Sequence, residues 1–283
     1  MNLDEHRHAV DTAGGTVSYY DVGPHGGRTA LFVHGVGTNA LLWRGVIARL
    51  AGEVRCVALD LPLHGHTPAA ADQDFSLHGL AKVLADFCAA LGLTGIDLVA
   101  NDTGGAVAQV FAVGRPDLLT SFTLTNCDTH DNLPPEAFKP AVEAAAKGQF
   151  AVTGPALASM PAVGRKAALG PGYQSADLPS SELVRAFLKP VMGTVKRARQ
   201  FERLLVSLKA EDLLAIEPQL RELTVPTLVV WGTADHFFEL KWAYWLVETI
   251  PGAQRVVEVP DGKLFFPDER PDELVAALRD FWS

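Results

Sequence analysis

One short run of residues restricts the fold of this chain more than any other. An apolar stretch through Leu98-Val99-Ala100 leads into Asn101-Asp102, and a helix-forming stretch from Ala106 to Val113 follows. Small residues lie two positions on either side of Asp102, at Ala100 and Gly104. A strand, a tight turn and a helix in this order predict a nucleophile elbow, a strained turn that holds one side chain up in a pocket.

Strand and helix patterns alternate on both sides of this turn. Continuous apolar runs, typical of strands buried on both faces, occupy 29–33, 54–59, 96–100, 121–125 and 227–231, and a further strand is expected at 255–259. A hairpin over 8–22 comes first, and helical patterns occupy 40–51, 77–91, 104–113, 239–250 and 271–282. This order predicts an α/β fold with a mostly parallel, doubly wound sheet and helices on both faces.

The alternation stops at about Asp128 and resumes only near residue 223. Between them the sequence has helical periodicity broken by Pro and Gly, with helices expected at 135–147, 150–160, 181–191, 194–209 and 210–216. We therefore expect a core of residues 1–128 and 223–283 and an inserted helical cap of residues 129–222. The cap would cover the carboxyl edge of the sheet, where such sheets bind ligands.

Charge limits the partners of this chain. Its formal net charge of −9 argues against a nucleic-acid backbone or an anionic membrane surface, because either would require a basic patch. A small-molecule substrate is therefore the expected partner. A homodimer is left open.

Cysteine usage and the amino terminus indicate the compartment. The three cysteines, Cys56, Cys88 and Cys127, fall on predicted buried elements, and an odd number there suggests reduced thiols. The polar start of the chain does not fit a secretory signal, so a cytoplasmic location is expected. No Cys/His cluster has metal-ligand spacing, and we expect neither a metal nor another cofactor.

Several motifs together resemble the α/β-hydrolase superfamily over essentially the whole chain. They are His34-Gly35 after the third strand, the Asp60-x-Pro-x-His-Gly loop, the elbow at Asp102, the helical cap and the late Trp231-Gly-x-x-Asp. The acid at the elbow is similar to that of haloalkane dehalogenases and epoxide hydrolases. The resemblance implies an α/β-hydrolase fold in which an aspartate attacks carbon and forms an alkyl-enzyme ester.

Asp102 is the candidate nucleophile, since an ester formed on a carboxylate can be cleaved by water at its carbonyl carbon. The alternative is that Asp102 only caps the following helix. The fold predicts that the backbone N–H groups of Val36 and Thr103 form the oxyanion hole. The alternative for this loop is a glycine-rich turn without a ligand.

The rest of the expected triad departs from the family. Asp235 lies where the superfamily places the acid that orients the base, although it could also be an ordinary turn residue. Lys263 stands where a catalytic His is expected. A free lysine has a pKa of about 10.4, and Asp102 and Asp235 nearby would keep Lys263 protonated. It would then act as an acid or an electrostatic clamp, unless it is an exposed turn lysine. His236 is a weaker candidate for a substitute base.

Other polar and aromatic residues are candidates for substrate binding. Apolar residues at helical spacing more often belong to the core, so these assignments are weaker than those of the triad. The candidates are His34, Trp43, His130, Phe138, Tyr173 and His236.

Because Lys263 stands where a catalytic His is expected, the sequence favours a function other than hydrolysis. We expect a cofactor-independent enzyme that uses Asp102 and Lys263 for non-hydrolytic acid/base chemistry on an apolar small molecule, such as a natural-product intermediate. C–C bond formation, cyclisation, isomerisation or elimination would suit this pair. One alternative is a hydrolase of the dehalogenase or epoxide hydrolase type. In this case the positions that bind halide in dehalogenases would hold Val36 and Thr103. Of the cap tyrosines that act as acids in epoxide hydrolases, the cap of this chain would offer only Tyr173. The other alternative is a non-catalytic pseudo-hydrolase that binds a ligand.

Overall fold

The structure, a computed structural model, describes residues 2–283. Its centre is an eight-stranded sheet in the order β1-β2-β4-β3-β5-β6-β7-β8. The strands β1 to β8 are Arg7–Thr12, Gly15–Val22, Thr29–Val33, Arg55–Leu59, Ile96–Asp102, Leu119–Cys127, Thr227–Gly232 and Ala253–Val259. β2 pairs antiparallel with both β1 and β4, and every pair from β4 to β8 is parallel. The predicted α/β-hydrolase fold is confirmed.

The central strands form the core because they are buried along their whole length. All seven residues of β5 and all six of β7 are buried, which agrees with their unbroken apolar sequence. Helices cover both faces of the sheet. In the core they are α1 Arg44–Leu50, α2 Leu77–Leu91, α3 Thr103–Gly114, α10 Lys241–Thr249, α11 Phe266–Glu269 and α12 Pro271–Trp282.

Six further helices lie between β6 and β7, in the segment expected to be a cap. They are α4 Lys139–Ala146, α5 Phe150–Ser159, α6 Pro161–Gly164, α7 Ser181–Met192, α8 Val195–Ser207 and α9 Ala210–Leu220. No helix is expected from the sequence over residues 161–172, where α6 is followed by a π-helical and a 3₁₀ turn. Prolines and glycines at both ends of these turns keep each of them short, which explains why no helical period was visible.

Parallel pairing brings one end of each central strand to the same edge of the sheet. β3, β5, β6, β7 and β8 all end there, so Asp102 at the end of β5 lies between His34, which follows β3, and Asp128, which follows β6. The candidate site is therefore built from residues that are far apart in the sequence. Within residues 2–283, no helix is both long and apolar enough to cross a membrane.

Candidate active site

Asp102 occupies a strained position at the junction of β5 and α3. Its φ of 58° and ψ of −140° lie in a region that side-chain-bearing residues rarely adopt, and α3 begins at the next residue. Two glycines make room for this turn. A methyl group on Gly35 would collide with the Asp102 carboxylate, and one on Gly104 would collide with the carbonyl of His34. The local geometry is that of the predicted strand-turn-helix elbow.

The Asp102 carboxylate is held by the two backbone groups that the sequence analysis named. The N–H groups of Val36 and Thr103 both donate hydrogen bonds to it. Burial raises the pKa of Asp102 well above its ordinary value, and the charges of Asp128 and Asp235 raise it further, while the two N–H donors oppose the rise. The side chain is thus fixed in place and surrounded by other carboxyl groups.

Asp128 is a site residue that the sequence analysis did not identify. It follows the last residue of β6, and its Oδ2 accepts a hydrogen bond of 2.9 Å from Thr103 Oγ1. Its Oδ1 is buried without a hydrogen-bond partner among residues 2–283. Burial raises the pKa of Asp128 to about 7, and the hydrogen bond from Thr103 opposes this rise. The usable signal in the sequence was the position of an acid directly after a buried parallel strand.

Asp235 is oriented by residues of the neighbouring strand. Asn126 Nδ2 donates to Asp235 Oδ2 at 2.8 Å, and the backbone N–H of Phe237 donates to Asp235 Oδ1 at 2.9 Å. Asn126 also accepts from the N–H of Gly232 at 2.7 Å, which joins β6 to the end of β7. Burial raises the pKa of Asp235 to about 7. Its charge acts on Asp102, but Asp235 does not line the cavity described below.

Lys263 does not take the position expected for it. Within residues 2–283 no carboxylate oxygen lies within 4.0 Å of its ammonium group. The next residue, Leu264, lines the cavity instead. The structure therefore does not bring Lys263 into an ion pair with Asp102 or Asp235, and Lys263 is not part of the cavity lining.

A turn directly after β8 explains why Leu264, one residue beyond Lys263, lines the cavity. Asp261 has a φ of 60°, and the N–H of Gly262 donates to the carbonyl of Val259 at 3.0 Å. The residue after the turn is fixed by Asn101, whose Nδ2 donates to the carbonyl of Leu264 at 3.0 Å. The N–H of Phe265 in turn donates to the carbonyl of Gly172 in the cap segment at 2.9 Å. These contacts turn Leu264 towards the cavity rather than Lys263.

The cavity above Asp102 is mainly apolar and has a volume of about 320 Å³. Both the core and the cap segment contribute to its walls. Apolar lining residues include Leu133, Phe138, Phe150, Met192, Leu205, Phe237, Leu264 and Phe265. Asp102, Thr103 and Asp128 are the polar residues of the lining. An apolar pocket with a few converging polar groups is the usual form of a small-molecule site.

Of the residues expected to bind substrate, Phe138 lines this cavity and the others do not. His34 is buried, donates from Nδ1 to the carbonyl of Gly35 at 2.8 Å, and accepts at Nε2 from the N–H of Leu61 at 2.9 Å. These two bonds fix it as a neutral structural residue, and burial lowers its pKa. Trp43 packs in the core against Phe32.

The remaining candidates are occupied elsewhere. The ring of His130 stacks on Trp245, with its Nδ1 3.4 Å from a carboxylate oxygen of Glu217. Tyr173 is buried, and its hydroxyl donates to Asp268 at 2.9 Å. His236 is exposed and contacts the ring of Phe237. None of these three residues belongs to the cavity lining.

No three His, Cys, Asp or Glu side chains in the described chain are arranged so that they could hold a metal ion.

Comparison with known proteins agrees with this architecture. The family model of the α/β hydrolase fold matches residues 30–270, and the chain belongs to this family, whose members are mostly enzymes. Haloalkane dehalogenase 2 of Mycobacterium bovis is 28% identical over 279 residues, which cover 95% of this chain and 92% of the relative. Epoxide hydrolase 3 of Xenopus tropicalis is 26% identical over 272 residues, covering 89% and 70%.

Solved structures share the fold as well. A thermophilic esterase from Thermogutta terrifontis superimposes with a TM-score of 0.74 at 23% identity, over 98% of this chain and 97% of the esterase. At this identity the likeness shows the fold alone.

Proposed function

We propose that this chain is an enzyme in which Asp102 attacks a saturated carbon of an apolar small molecule and forms an ester with it. The observation that carries the proposal is the Asp102 carboxylate itself. It lies at an elbow, bonded to the N–H groups of Val36 and Thr103, at the bottom of an apolar cavity. A carboxylate held in this way is aligned for attack without reorganisation.

The relatives support the same chemistry. A dehalogenase and an epoxide hydrolase are similar to this chain along most of its length. The reaction would be completed when water attacks the ester carbonyl, with the negative charge on its oxygen stabilised by the two N–H groups. This is the hydrolytic alternative of the sequence analysis, and it does not require Lys263.

A second candidate is non-hydrolytic proton transfer, and one observation favours it. Basic side chains are absent from the described cavity lining, whereas Asp102 and Asp128 both belong to it. A neutral carboxyl group beside an ionised one can serve as acid and base for an isomerisation or elimination. In this version Asp128 takes the role that the sequence assigned to Lys263.

Intact-protein mass spectrometry separates the two candidates. The protein is incubated with panels of epoxides, haloalkanes and activated esters, next to Asp102→Asn and to Asp131→Asn, an exposed acid outside the cavity. A covalent adduct, or turnover, in the parent protein and in Asp131→Asn but not in Asp102→Asn supports attack on carbon. No adduct and no consumption in any sample would overturn it in favour of proton transfer or simple ligand binding.

A further inference from the structure

The cavity places two carboxyl groups together with no cation to neutralise them. Asp102 and Asp128 both line it, and both are at least nine-tenths buried. Thr103 joins them, because its N–H donates to Asp102 and its hydroxyl donates to Asp128 Oδ2. Of the charges around Asp102, that of Asp128 has the largest effect. Two buried carboxyl groups that line the same apolar cavity on either side of Thr103 repel each other when both are ionised, so the pair holds one proton.

The position of that proton follows from the hydrogen bonds. Asp102 accepts two N–H bonds, which favour its ionised form, whereas Asp128 accepts one bond from a hydroxyl. Because Oδ2 of Asp128 is already an acceptor, the proton belongs on Oδ1, the buried oxygen without a partner. The resting pair is then an ionised Asp102 next to a neutral Asp128.

We propose that Asp128 is the second catalytic residue, acting first as acid and then as base, and that the substrate is an apolar epoxide. This inference rests on the proposed function of Asp102. A halide leaves without a proton and requires hydrogen-bond donors in the lining. Here the N–H groups of Val36 and Thr103 are bonded to Asp102, and the Thr103 hydroxyl is bonded to Asp128. An epoxide oxygen requires a proton as its C–O bond breaks, and a neutral Asp128 supplies one.

The two half-reactions balance. In the first, an oxygen of Asp102 bonds to an epoxide carbon, the C–O bond of the ring breaks, and the epoxide oxygen takes the proton of Asp128. The products are a hydroxyalkyl ester on Asp102 and an ionised Asp128.

In the second half-reaction, the oxygen of a water molecule bonds to the ester carbonyl carbon and one water proton passes to Asp128. The N–H groups of Val36 and Thr103 hold the resulting oxyanion. Collapse breaks the bond to the alkoxide, which takes the proton from Asp128 and leaves as a diol. The pair again holds one proton, now on Asp102, and its transfer to Asp128 restores the starting state.

The test measures the rates at which Asp102 is alkylated by two probes, styrene oxide and 1-bromohexane, using intact mass. Alkylation by the epoxide needs an acid, and alkylation by the bromide does not. In Asp128→Asn, we expect the ratio of the epoxide rate to the bromide rate to fall at least 30-fold, since acid catalysis contributes about 10² to 10⁴. The hexyl ester that 1-bromohexane forms on Asp102 should also persist in Asp128→Asn, because the base that accepts a proton from the attacking water is missing. Asp131→Asn should keep both rates.

A ratio of two rates in one sample does not depend on the fraction of folded protein, and Asp128→Ala serves as a second variant. The inference is overturned if Asp128→Asn retains the parent ratio and still releases the ester while Asp102→Asn is inactive. In that case the proposed function survives. If neither probe alkylates the parent protein or is consumed by it, the proposed function fails and the role of Asp128 fails with it.

Discussion

Asn101 and Leu264 are joined across 163 positions of sequence by a hydrogen bond of 3.0 Å, from the Asn101 side chain to the backbone carbonyl of Leu264. Asn101 directly precedes the nucleophile candidate, so the bond fixes the loop after β8 relative to the elbow. The same side chain donates to Thr125 Oγ1 at 2.9 Å on β6. Leu264 is thereby held at the cavity wall, with only 4% of its surface exposed.

Replacing Leu264 with His should restore release of the ester in the Asp128→Asn variant, which is expected to have lost it. In the Asp128→Asn background, an imidazole at position 264 enters the cavity and can activate water. We expect the hexyl ester of Asp128→Asn/Leu264→His to decay at least tenfold faster than that of Asp128→Asn. The control is Asp128→Asn/Lys263→His, whose imidazole lies outside the cavity lining. Equal decay in both double variants would contradict this placement of the two residues.

A methyl group on Gly35 should displace Asp102. Its Cβ would collide with the carboxylate, so Gly35→Ala should lower the rate of alkylation at least 100-fold, as a shift of about 1 Å at a reacting group can do. Gly27→Ala is the matched control, because a methyl group there meets no atom within 4 Å. Rates are measured with the same bromide probe. A Gly35→Ala protein that reacts at the parent rate would show that the carboxylate is not confined by this loop.

Ionisation of Asp128 should destabilise the protein as the pH rises. Its pKa is raised from 3.8 to about 7 in the folded state. Below pH 4 it is protonated in both states, and its contribution to the free energy of unfolding is fully present. Between pH 4 and 7 the unfolded chain releases the proton first, so stability falls, by at most about 4 kcal/mol at 1.36 kcal/mol per pH unit.

Asn cannot ionise, so the stability advantage of Asp128→Asn over the parent should grow from pH 4.5 to pH 7 and then level off. Urea unfolding at pH 4.5, 6 and 8 measures it, with Asp131→Asn as the control. An advantage that is independent of pH would show that Asp128 has the same pKa in both states.

The hydroxyl of Thr103 should set the acidity of Asp128. In Thr103→Val the hydrogen bond to Asp128 Oδ2 is lost, which removes a group that lowers the pKa of Asp128. The basic limb of the pH profile for epoxide alkylation should therefore move to higher pH. Thr103→Ser keeps the hydroxyl and should retain the parent profile. Loss of activity without a shift of the profile in Thr103→Val would indicate a purely structural role.

The arrangement of the sheet was predictable because strands and tight turns are indicated by residues that are close together in the sequence. The unbroken apolar runs at β5 and β7 and the small residues around Asp102 are visible in the sequence, and the strands and the elbow form there. The helical turns over residues 161–172 were missed because three short elements of different period leave no common pattern.

The composition of the site was harder to predict. Asp128 is unremarkable in the sequence, and its importance comes from β6 lying beside β5, which brings it to Thr103. Conversely, His34, Trp43 and Tyr173 looked like binding residues, but each has its contacts inside the protein. The chemical type of a side chain does not show whether its hydrogen bonds and packing contacts are already made by neighbours inside the protein.

The sequence by itself therefore determined the family, the sheet with its elbow, and the acid at position 102, because periodicity and turn chemistry are carried by neighbouring residues. Only the tertiary structure decided that Leu264 rather than Lys263 faces the cavity, and that Asp128 lies beside the nucleophile. A left-handed turn at Asp261 and hydrogen bonds from distant residues set the direction of the loop, and the pairing of strands set the distance between the carboxyl groups. Both depend on contacts between segments that the sequence does not place next to each other.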